Sequence, residues 1–280
     1  MTLTTATAPR PHRWRQSRLI PIRSRAALAI GLVSLVGLAS FLWPLLIVPG
    51  SDLDDATTAP LILAALLPLF LVVVLAEVGR GGFDVKAIAM LGVLSAVGAV
   101  LRPLGAGTAG LETVFFLLIL AARVYGPGFG FVLGATTLLG SALLTGGVGP
   151  WLPFQMVAAA WVGFGAGLLP RARGRAEIGL LVAYGVLAGL AYGLIMNFSF
   201  WPFAVGVANQ LSYVAGAPVL DNLHRFFVFS LVTSLGWDIG RAITNGLAIL
   251  LVGPAVLSAL RRIARRAAFD VVDPPRGRPW

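Results

Sequence analysis

The amino-acid sequence predicts an all-α integral membrane protein, and its composition, its long apolar runs and the placement of its basic residues carry that prediction. Of the 280 residues, 58% are hydrophobic and 11% are charged, and the mean hydropathy is +0.90. A typical soluble domain is about 45–50% apolar and about 25% charged. Too little polar surface therefore remains to cover a water-soluble body of this size.

Eight apolar runs are candidate transmembrane helices, because about 20 apolar residues cross the roughly 30 Å hydrocarbon core of a bilayer. The third and fourth runs have only about 15 residues, or about 22 Å of helix, so they must extend into their flanks or lie tilted in a bundle. The eight runs are residues 26–48, 60–77, 87–101, 111–125, 128–145, 154–169, 178–198 and 225–260.

The basic residues predict that both termini are cytoplasmic. When the N-terminus is placed inside and all eight runs span, all but three of the 21 Lys and Arg residues fall in cytoplasmic segments, as the positive-inside rule requires. The exceptions are Arg102, Arg225 and Arg241. The net charge of +10 is therefore mainly a topology signal, and no nucleic-acid partner is expected.

Composition divides the chain into four parts. Residues 1–25 form a basic cytoplasmic tail that we expect to be disordered, and residues 26–80 form an N-terminal transmembrane hairpin. Residues 86–265 form a six-span core, and residues 266–280 form a second cytoplasmic tail. Nearly all of the unusual polar and glycine-rich segments lie in the core, so we expect the functional site there.

Small residues recur four positions apart within the core, at helical spacing. In lipid, such stripes allow helix backbones to approach closely. Internal packing is the main expectation, and docking against another membrane subunit is the alternative, above all for the first pair. The stripes are Gly92/Ala96, Gly130/Gly134, Gly163/Gly167 and Gly185/Gly189/Gly193.

The connection formed by residues 102–112 is the first candidate binding segment. It begins with Arg102, and Gly105, Gly107 and other small residues suit a mobile loop. Glu112 lies where the next helix is expected to begin, where the helix dipole stabilises a carboxylate by about 0.3–1 kcal/mol. Glu112 is thus a dipole partner, an ion pair for Arg102 or a ligand contact, and the sequence leaves these alternatives open.

A Gly- and Pro-rich turn ending in Trp151, Phe154 and Gln155 is the second candidate segment. The two aromatic residues are interfacial anchors or the faces of a site for a planar organic ligand. Gln155 lies inside the apolar boundary, where an unpaired amide costs about 1–3 kcal/mol. Both interpretations remain open at this stage.

The last apolar run contains the third group, Asp238, Arg241 and Asn245. Their spacings of three and four place them on one helix face, where Asp238 and Arg241 can pair. Counted from Arg225 as the outer end of the helix, Asp238 would lie about 20 Å deep, beyond the membrane midplane. That depth favours a bundle lock or a contact with a coupling partner over an external substrate site.

The sequence lacks the patterns typical of metal sites, of cysteine or Ser-His-Asp catalysis and of ATP hydrolysis. There is no cysteine, and His12 and His224 are far apart. Lys86, the sole lysine, lacks the glycine pattern of a P-loop. We therefore predict no metal site, no cofactor and no catalytic residue, and any ATP-driven work falls to a partner protein.

Four segments resemble the substrate-specific S component of energy-coupling factor (ECF) transporters. They are residues 102–112, the run FFLLILAARVYGPGFG at 115–130, GPWLPFQM at 149–156 and TSLGWDIGR at 233–241. The resemblance covers the six-span core. It leaves out the N-terminal hairpin, since S components are commonly six-span proteins.

The resemblance implies a non-catalytic subunit of an ECF-type ABC importer in the bacterial cytoplasmic membrane. S components bind a vitamin or related micronutrient on the extracellular side, associate with a membrane coupling (T) subunit and two cytoplasmic P-loop ATPases, and topple to release the cargo inside. The implied gate loop contains Arg102, Gly105 and Gly107. The implied interface with the coupling subunit contains Gly92, Ala96 and Arg123. The implied substrate contacts are Glu112, Trp151, Phe154, Gln155, Asn197 and Trp201.

Two other classes of protein remain as alternatives. The first is a membrane-embedded enzyme that acts on a lipid or isoprenoid substrate with Glu112 or Asp238 as its acid/base group. The missing metal-binding clusters and paired acids disfavour it. The second is a structural or assembly protein that uses its glycine stripes to bind other subunits.

Overall fold

The computed structural model describes residues 24–46, 58–83, 85–105, 108–203, 211–214 and 216–266. All regular secondary structure within these residues is helical, which confirms the prediction of an all-α protein. The predicted tails fall almost entirely outside the described residues, as does Gly107 of the predicted gate loop.

Nine α-helices are present in the described part of the chain. They are α1 (Ser24–Leu46), α2 (Thr58–Gly82), α3 (Val85–Leu101), α4 (Val114–Tyr125), α5 (Pro127–Thr145), α6 (Leu152–Leu168), α7 (Arg175–Phe200), α8 (Val219–Thr233) and α9 (Leu235–Arg266). By length and composition, α1, α3, α5, α7 and α9 can cross a membrane. The shorter apolar helices are α4, α6 and the segment Ala64–Ala76 of α2.

The prediction of one span over residues 225–260 is wrong. The chain leaves helical geometry at Ser234, where α8 ends, and α9 begins at Leu235. The physical reason is that α8 carries Asp221, Asn222 and His224 among its first residues, and such polar groups are costly in hydrocarbon. Asp238 therefore lies in the first turn of α9, so the predicted depth of about 20 Å is also wrong.

Ion pairs define the relative directions of α4, α7 and α9. Glu112, which precedes α4, contacts Arg241 near the start of α9. At the opposite end, Glu177 in the first turn of α7 contacts both Arg123 of α4 and Arg261 of α9. Helices α4 and α9 therefore run parallel and α7 runs antiparallel to both. We call the two ends of the bundle the Glu112 end and the Glu177 end.

Close backbone contact between α5 and α6 forms the centre of the bundle. A Cβ on Gly130 would collide with the carbonyl oxygen of Gly163, and one on Gly134 would collide with that of Ala159. Only glycine permits this approach, because it has no Cβ. The expectation of internal packing is confirmed for these glycines.

The glycine stripe of α7 also packs internally, whereas Gly92 does not. Gly185 faces Ile249 and Gly189 faces Ala242, both on α9. Nothing lies within 4 Å of a Cβ built on Gly92. The Gly92 face of α3 is therefore left uncovered by the described part of this chain.

The N-terminal hairpin packs directly against the core. The ring of Phe41 in α1 lies 5.1 Å, centroid to centroid, from that of Phe154 in α6. The indole of Trp161 donates a hydrogen bond of 2.9 Å to the Ser34 hydroxyl. Helices α1 and α2 thus extend the bundle on its α6 side.

Candidate functional site

A cavity of about 290 Å³ opens at the Glu112 end of the bundle. It lies where the α3–α4 connection, the end of α5 and the start of α9 meet. We call it the Glu112 cavity. Its lining residues are Arg102, Pro103, Gly105, Gly110, Leu111, Glu112, Ser141, Thr145, Trp237 and Arg241.

The α3–α4 connection forms one wall of the cavity and rests on α9. It begins as a 3₁₀ turn at Arg102–Gly105 and continues through Gly110, whose φ is +79°. A Cβ on Gly110 would collide with the carbonyl oxygen of Trp237. Glycine is required here twice, because the left-handed φ and the contact with α9 both exclude a side chain. The predicted gate segment thus contacts the first turn of α9.

A buried ion triad lies beside the cavity and consists of Glu112, Arg241 and Asp238. Arg241 Nε donates to Glu112 Oε2, and its Nη1 donates to Asp238 Oδ1 at 2.7 Å. Nη1 also lies 3.3 Å from the carbonyl oxygen of Gly189, and the guanidinium lies 5.2 Å from the centre of the Tyr192 ring. Four groups therefore contact the Arg241 guanidinium: two carboxylates, a backbone carbonyl and an aromatic ring.

The triad settles two structural alternatives left open by the sequence. Asp238 and Arg241 pair, as their i,i+3 spacing predicts. Glu112 pairs with Arg241 and not with Arg102, because α9 begins next to the α3–α4 connection. The Asp238–Arg241 pair thus borders the cavity, contrary to the deep position expected for it.

Arg102 is a second guanidinium of the cavity, and it makes only contacts with neutral groups. Its Nη2 lies 3.2 Å from Gln155 Oε1, and its Nη1 lies 3.5 Å from the Ser141 hydroxyl. Its Nε is buried and has no hydrogen-bond partner among residues that the structure describes. Among the described residues no carboxylate lies within ion-pair distance of it. Arg102 is therefore a cation with spare donor capacity.

Most of the expected substrate contacts lie elsewhere. Phe154 is buried against α1, and the indole of Trp201 is buried and donates to the Leu211 carbonyl. Trp151 is 52% exposed and donates to the Gly147 carbonyl. None of the three lines the Glu112 cavity, because local aromatic packing and a turn hydrogen bond hold them outside it.

Two amide residues of the expected set have structural contacts. Asn197 donates to the Ser230 hydroxyl at 3.2 Å and accepts from the Ser234 hydroxyl at 3.1 Å, so it ties α7 to the α8–α9 junction. Gln155 reaches the cavity only through its contact with Arg102. Of the expected contacts, Glu112 alone lines the cavity.

Sequence reasoning missed three lining residues: Ser141, Thr145 and Trp237. Ser141 and Thr145 are four apart at the end of α5, directly before a glycine pair. That spacing was a usable signal, since it places both hydroxyls on one face near the helix end. Trp237 is next to Asp238, but only the break at Ser234 brings it to the Glu112 end.

A second buried ion cluster lies at the Glu177 end and includes Arg123. Glu177 Oε1 accepts from Arg123 Nε at 2.8 Å and from Arg261 Nη2 at 2.6 Å. Arg123 also donates to the Leu169 carbonyl. We call this the Glu177 cluster. The Arg123 side chain is only 9% exposed, so its expected role on a partner-binding surface is not supported by its position.

Asn245, the third member of the polar group on α9, is fully buried. Within the described ranges of the chain, neither atom of its side-chain amide has a hydrogen-bond partner. It faces Gly185 and Gly189 of α7 and lies one helical turn from Arg241. It does not line the Glu112 cavity.

The fold and this cavity define a multi-pass membrane protein with a polar cavity of small-molecule size at one end of its helix bundle. A family model described as "ECF transporter, substrate-specific component" matches residues 86–264. The chain belongs to that family and is therefore a substrate-specific transporter subunit of the cell membrane. The match covers α3 to α9 and leaves out the α1–α2 hairpin.

A named relative supports the same family. A UPF0397 protein of Lactobacillus gasseri is 29% identical over 186 residues, which cover 64% of this chain and 90% of the relative. No solved structure gives a significant match.

Proposed function

We propose that this protein binds a vitamin or related micronutrient in the Glu112 cavity and delivers it inward with a membrane coupling subunit and two P-loop ATPases. The observation that carries the proposal is the cavity itself, with two guanidinium groups, a carboxylate and two hydroxyls around about 290 Å³. Small-molecule sites have volumes of about 300–1,000 Å³ and a few convergent polar groups. The cavity is therefore suited to a small cargo.

The proposed orientation places the Glu112 end outside the cell. It follows from the basic residues, which put both termini in the cytoplasm when the eight apolar helices other than α8 cross the bilayer. In this orientation the cavity faces the extracellular medium and the Glu177 cluster lies near the cytoplasm. The α3–α4 connection is then the proposed gate, because its residues form one wall of the cavity and contact α9 at Gly110.

The proposed surface for the coupling subunit is the exposed face of α3. Gly92 and Ala96 lie on it, and Val93 and Val97 beside them are 59% and 45% exposed. A small-residue stripe flanked by apolar side chains allows close helix packing in lipid. Arg123 is not part of this surface, since it is buried in the Glu177 cluster.

The ion triad favours binding over catalysis. An acid/base catalyst needs a carboxyl group within reach of the substrate proton and free to exchange it. Glu112 and Asp238 both accept a hydrogen bond from the Arg241 guanidinium, so each carboxylate already has a partner within the chain. The alternative of a lipid- or isoprenoid-modifying enzyme therefore gains no support from this geometry.

The first experiment is to cross-link membranes of the native host, purify the tagged full-length chain and identify co-purifying proteins by mass spectrometry. We expect a polytopic subunit without a P-loop and one or two P-loop ATPases. An unrelated multi-pass protein with the same tag is the control and should not recover them. Recovery of the chain without such proteins after cross-linking, together with turnover of a lipid by the isolated chain, would contradict the proposal.

A further inference from the structure

Arg102 has more hydrogen-bond donors than the described residues satisfy. A guanidinium has five N–H donors, and here the contacts are two neutral oxygens at 3.2 Å and 3.5 Å. The second distance is beyond the usual range of about 2.7–3.2 Å for an N–H···O bond. Nε is buried and has no hydrogen-bond partner in the part of the chain that the structure describes. Arg102 can therefore donate hydrogen bonds to a ligand without giving up an ion pair within the chain.

The arginines of the two ion clusters differ from Arg102 in this respect. Arg123 and Arg261 both contact the Glu177 carboxylate, and Arg241 contacts two carboxylates. Charged groups in a low-dielectric interior are stabilised by an opposite charge, and an uncompensated one is costly. Each of these three guanidiniums contacts at least one carboxylate. Among the described residues, no carboxylate lies within ion-pair distance of Arg102.

The surroundings of Arg102 also suit an anion. The Ser141 hydroxyl next to it can donate its proton to a ligand oxygen while accepting from Arg102. The guanidinium fork matches the geometry of a carboxylate or phosphate and binds it by charge-assisted hydrogen bonds. The Arg102 side of the cavity is thus a place for an oxyanion.

The part of the cavity lined by Glu112 has a different character. The ion triad contains two carboxylates and one guanidinium, so it carries an excess negative charge when both carboxylates are ionised. Glu112 lines the cavity and can accept a hydrogen bond from a ligand. Trp237, which is 47% exposed, adds an aromatic side chain to the cavity lining.

We propose that the cargo is a small organic acid whose carboxylate or phosphate is bound by Arg102 and whose other end donates a hydrogen bond to Glu112. This inference rests on the proposed function, because it takes the Glu112 cavity to be the cargo site. A neutral or purely cationic cargo would leave the Arg102 guanidinium without a counter-charge, so the inference predicts that such compounds bind more weakly than the acid.

The test is affinity selection with the purified full-length chain in nanodiscs. The probe is the fraction of yeast extract below 1 kDa, and bound compounds are identified by mass spectrometry at pH 7. We compare the wild type with Arg102→Gln and with Arg173→Gln, which changes an exposed arginine on the α6–α7 connection. We expect the wild type and Arg173→Gln to enrich an acidic compound. Arg102→Gln should bind it about tenfold to a hundredfold more weakly, the usual loss for a charged hydrogen bond.

A second arm changes the ligand instead of the protein. The amide of an enriched carboxylic acid, or the dephosphorylated form of an enriched phosphate, should compete at least about tenfold more weakly. This arm also distinguishes the two kinds of acid. It remains decisive if Arg102→Gln does not fold, and Arg102→Lys, which keeps the charge but loses the planar fork, provides a further variant.

The outcomes separate this inference from the proposed function. Enrichment of a neutral or purely cationic compound by the wild type would overturn the inference and leave the transporter role standing. Equal binding of the acid by Arg102→Gln and the wild type would also overturn the inference and leave the transporter role standing. If the wild type enriches no compound, both the cargo site and this inference are wrong.

Discussion

Two buried ion clusters connect the same three regions of the bundle at opposite ends, and they differ in what they leave unsatisfied. At the Glu177 end, one carboxylate accepts from two guanidiniums. At the Glu112 end, one guanidinium donates to two carboxylates, and the cluster borders a cavity with Arg102 on its wall. Buried charge alone therefore does not identify a binding site. The proposed binding site rests instead on a cavity and on a cation without an ion-pair partner among the described residues.

The two clusters also differ in whether their residues lie inside helices or in a connection between helices. The Glu177 cluster joins residues inside helices α4, α7 and α9, so rigid backbone holds each partner. The triad includes Glu112, which precedes α4 in the α3–α4 connection, and the same connection forms a wall of the cavity. We therefore expect changes in the Glu177 cluster to affect stability and changes in the triad to affect binding.

The largest expected effect is the loss of stability in Glu177→Gln. The substitution removes the carboxylate between two guanidiniums, and Arg123, whose side chain is 9% exposed, cannot reach water. Removing one partner of a buried ion pair costs about 3 kcal/mol or more. Thermal unfolding in detergent, followed by circular dichroism, should show a large decrease in Tm. An unchanged Tm would mean that the Glu177 cluster does not hold the bundle together.

The matched variant Glu112→Gln should have the opposite profile. Arg241 keeps Asp238, and the amide oxygen can still accept a hydrogen bond, so the loss of stability should be about 1 kcal/mol. Binding of the compound selected by the wild type should fall about tenfold, because the cavity loses a charged acceptor. A Tm decrease as large as that of Glu177→Gln, with unchanged binding, would erase the distinction between the two clusters.

A smaller effect is expected for Gly110→Ala, which tests the contact between the α3–α4 connection and α9. The left-handed φ costs about 1–2 kcal/mol for alanine, and the new Cβ would collide with the Trp237 carbonyl, so the connection must shift and binding should fall severalfold. Gly174→Ala is the control, since Gly174 also has a positive φ of +59° but no atom within 4 Å of its Cβ position. Equal binding by the two variants would contradict the proposal that the α3–α4 connection forms part of the binding site.

The smallest effect on the isolated protein is expected for Gly92→Leu, on the face of α3 that belongs to neither cluster. No atom lies near the substituted position, so the free energy of unfolding should change by about 0.5 kcal/mol or less. Recovery of the coupling subunit in co-purification should decrease, because the larger side chain prevents close helix packing. Gly31→Leu in α1, which is equally open, should leave recovery unchanged. Equal recovery with both variants would contradict the proposed α3 interface.

The local sequence predicts the positions of the helices better than it predicts which residues line the Glu112 cavity. Long apolar runs and helical spacing predict most of α1 to α7, because hydrophobic burial in lipid acts on every turn of a helix. The boundary between α8 and α9 was missed because an amphipathic helix followed by an apolar one resembles a single long run. That one error moved Asp238 and Arg241 away from the Glu112 end.

The sequence by itself determined the all-α class, the resemblance of residues 86–265 to S components, the internal role of most glycine stripes and the pairing of Asp238 with Arg241. These depend on composition and on spacings of three or four residues. Only the tertiary structure decided that Glu112 pairs with Arg241, that Arg123 is buried with Glu177, and that Ser141, Thr145 and Trp237 line the cavity. Such contacts join residues tens of positions apart, and their geometry depends on how whole helices pack against each other.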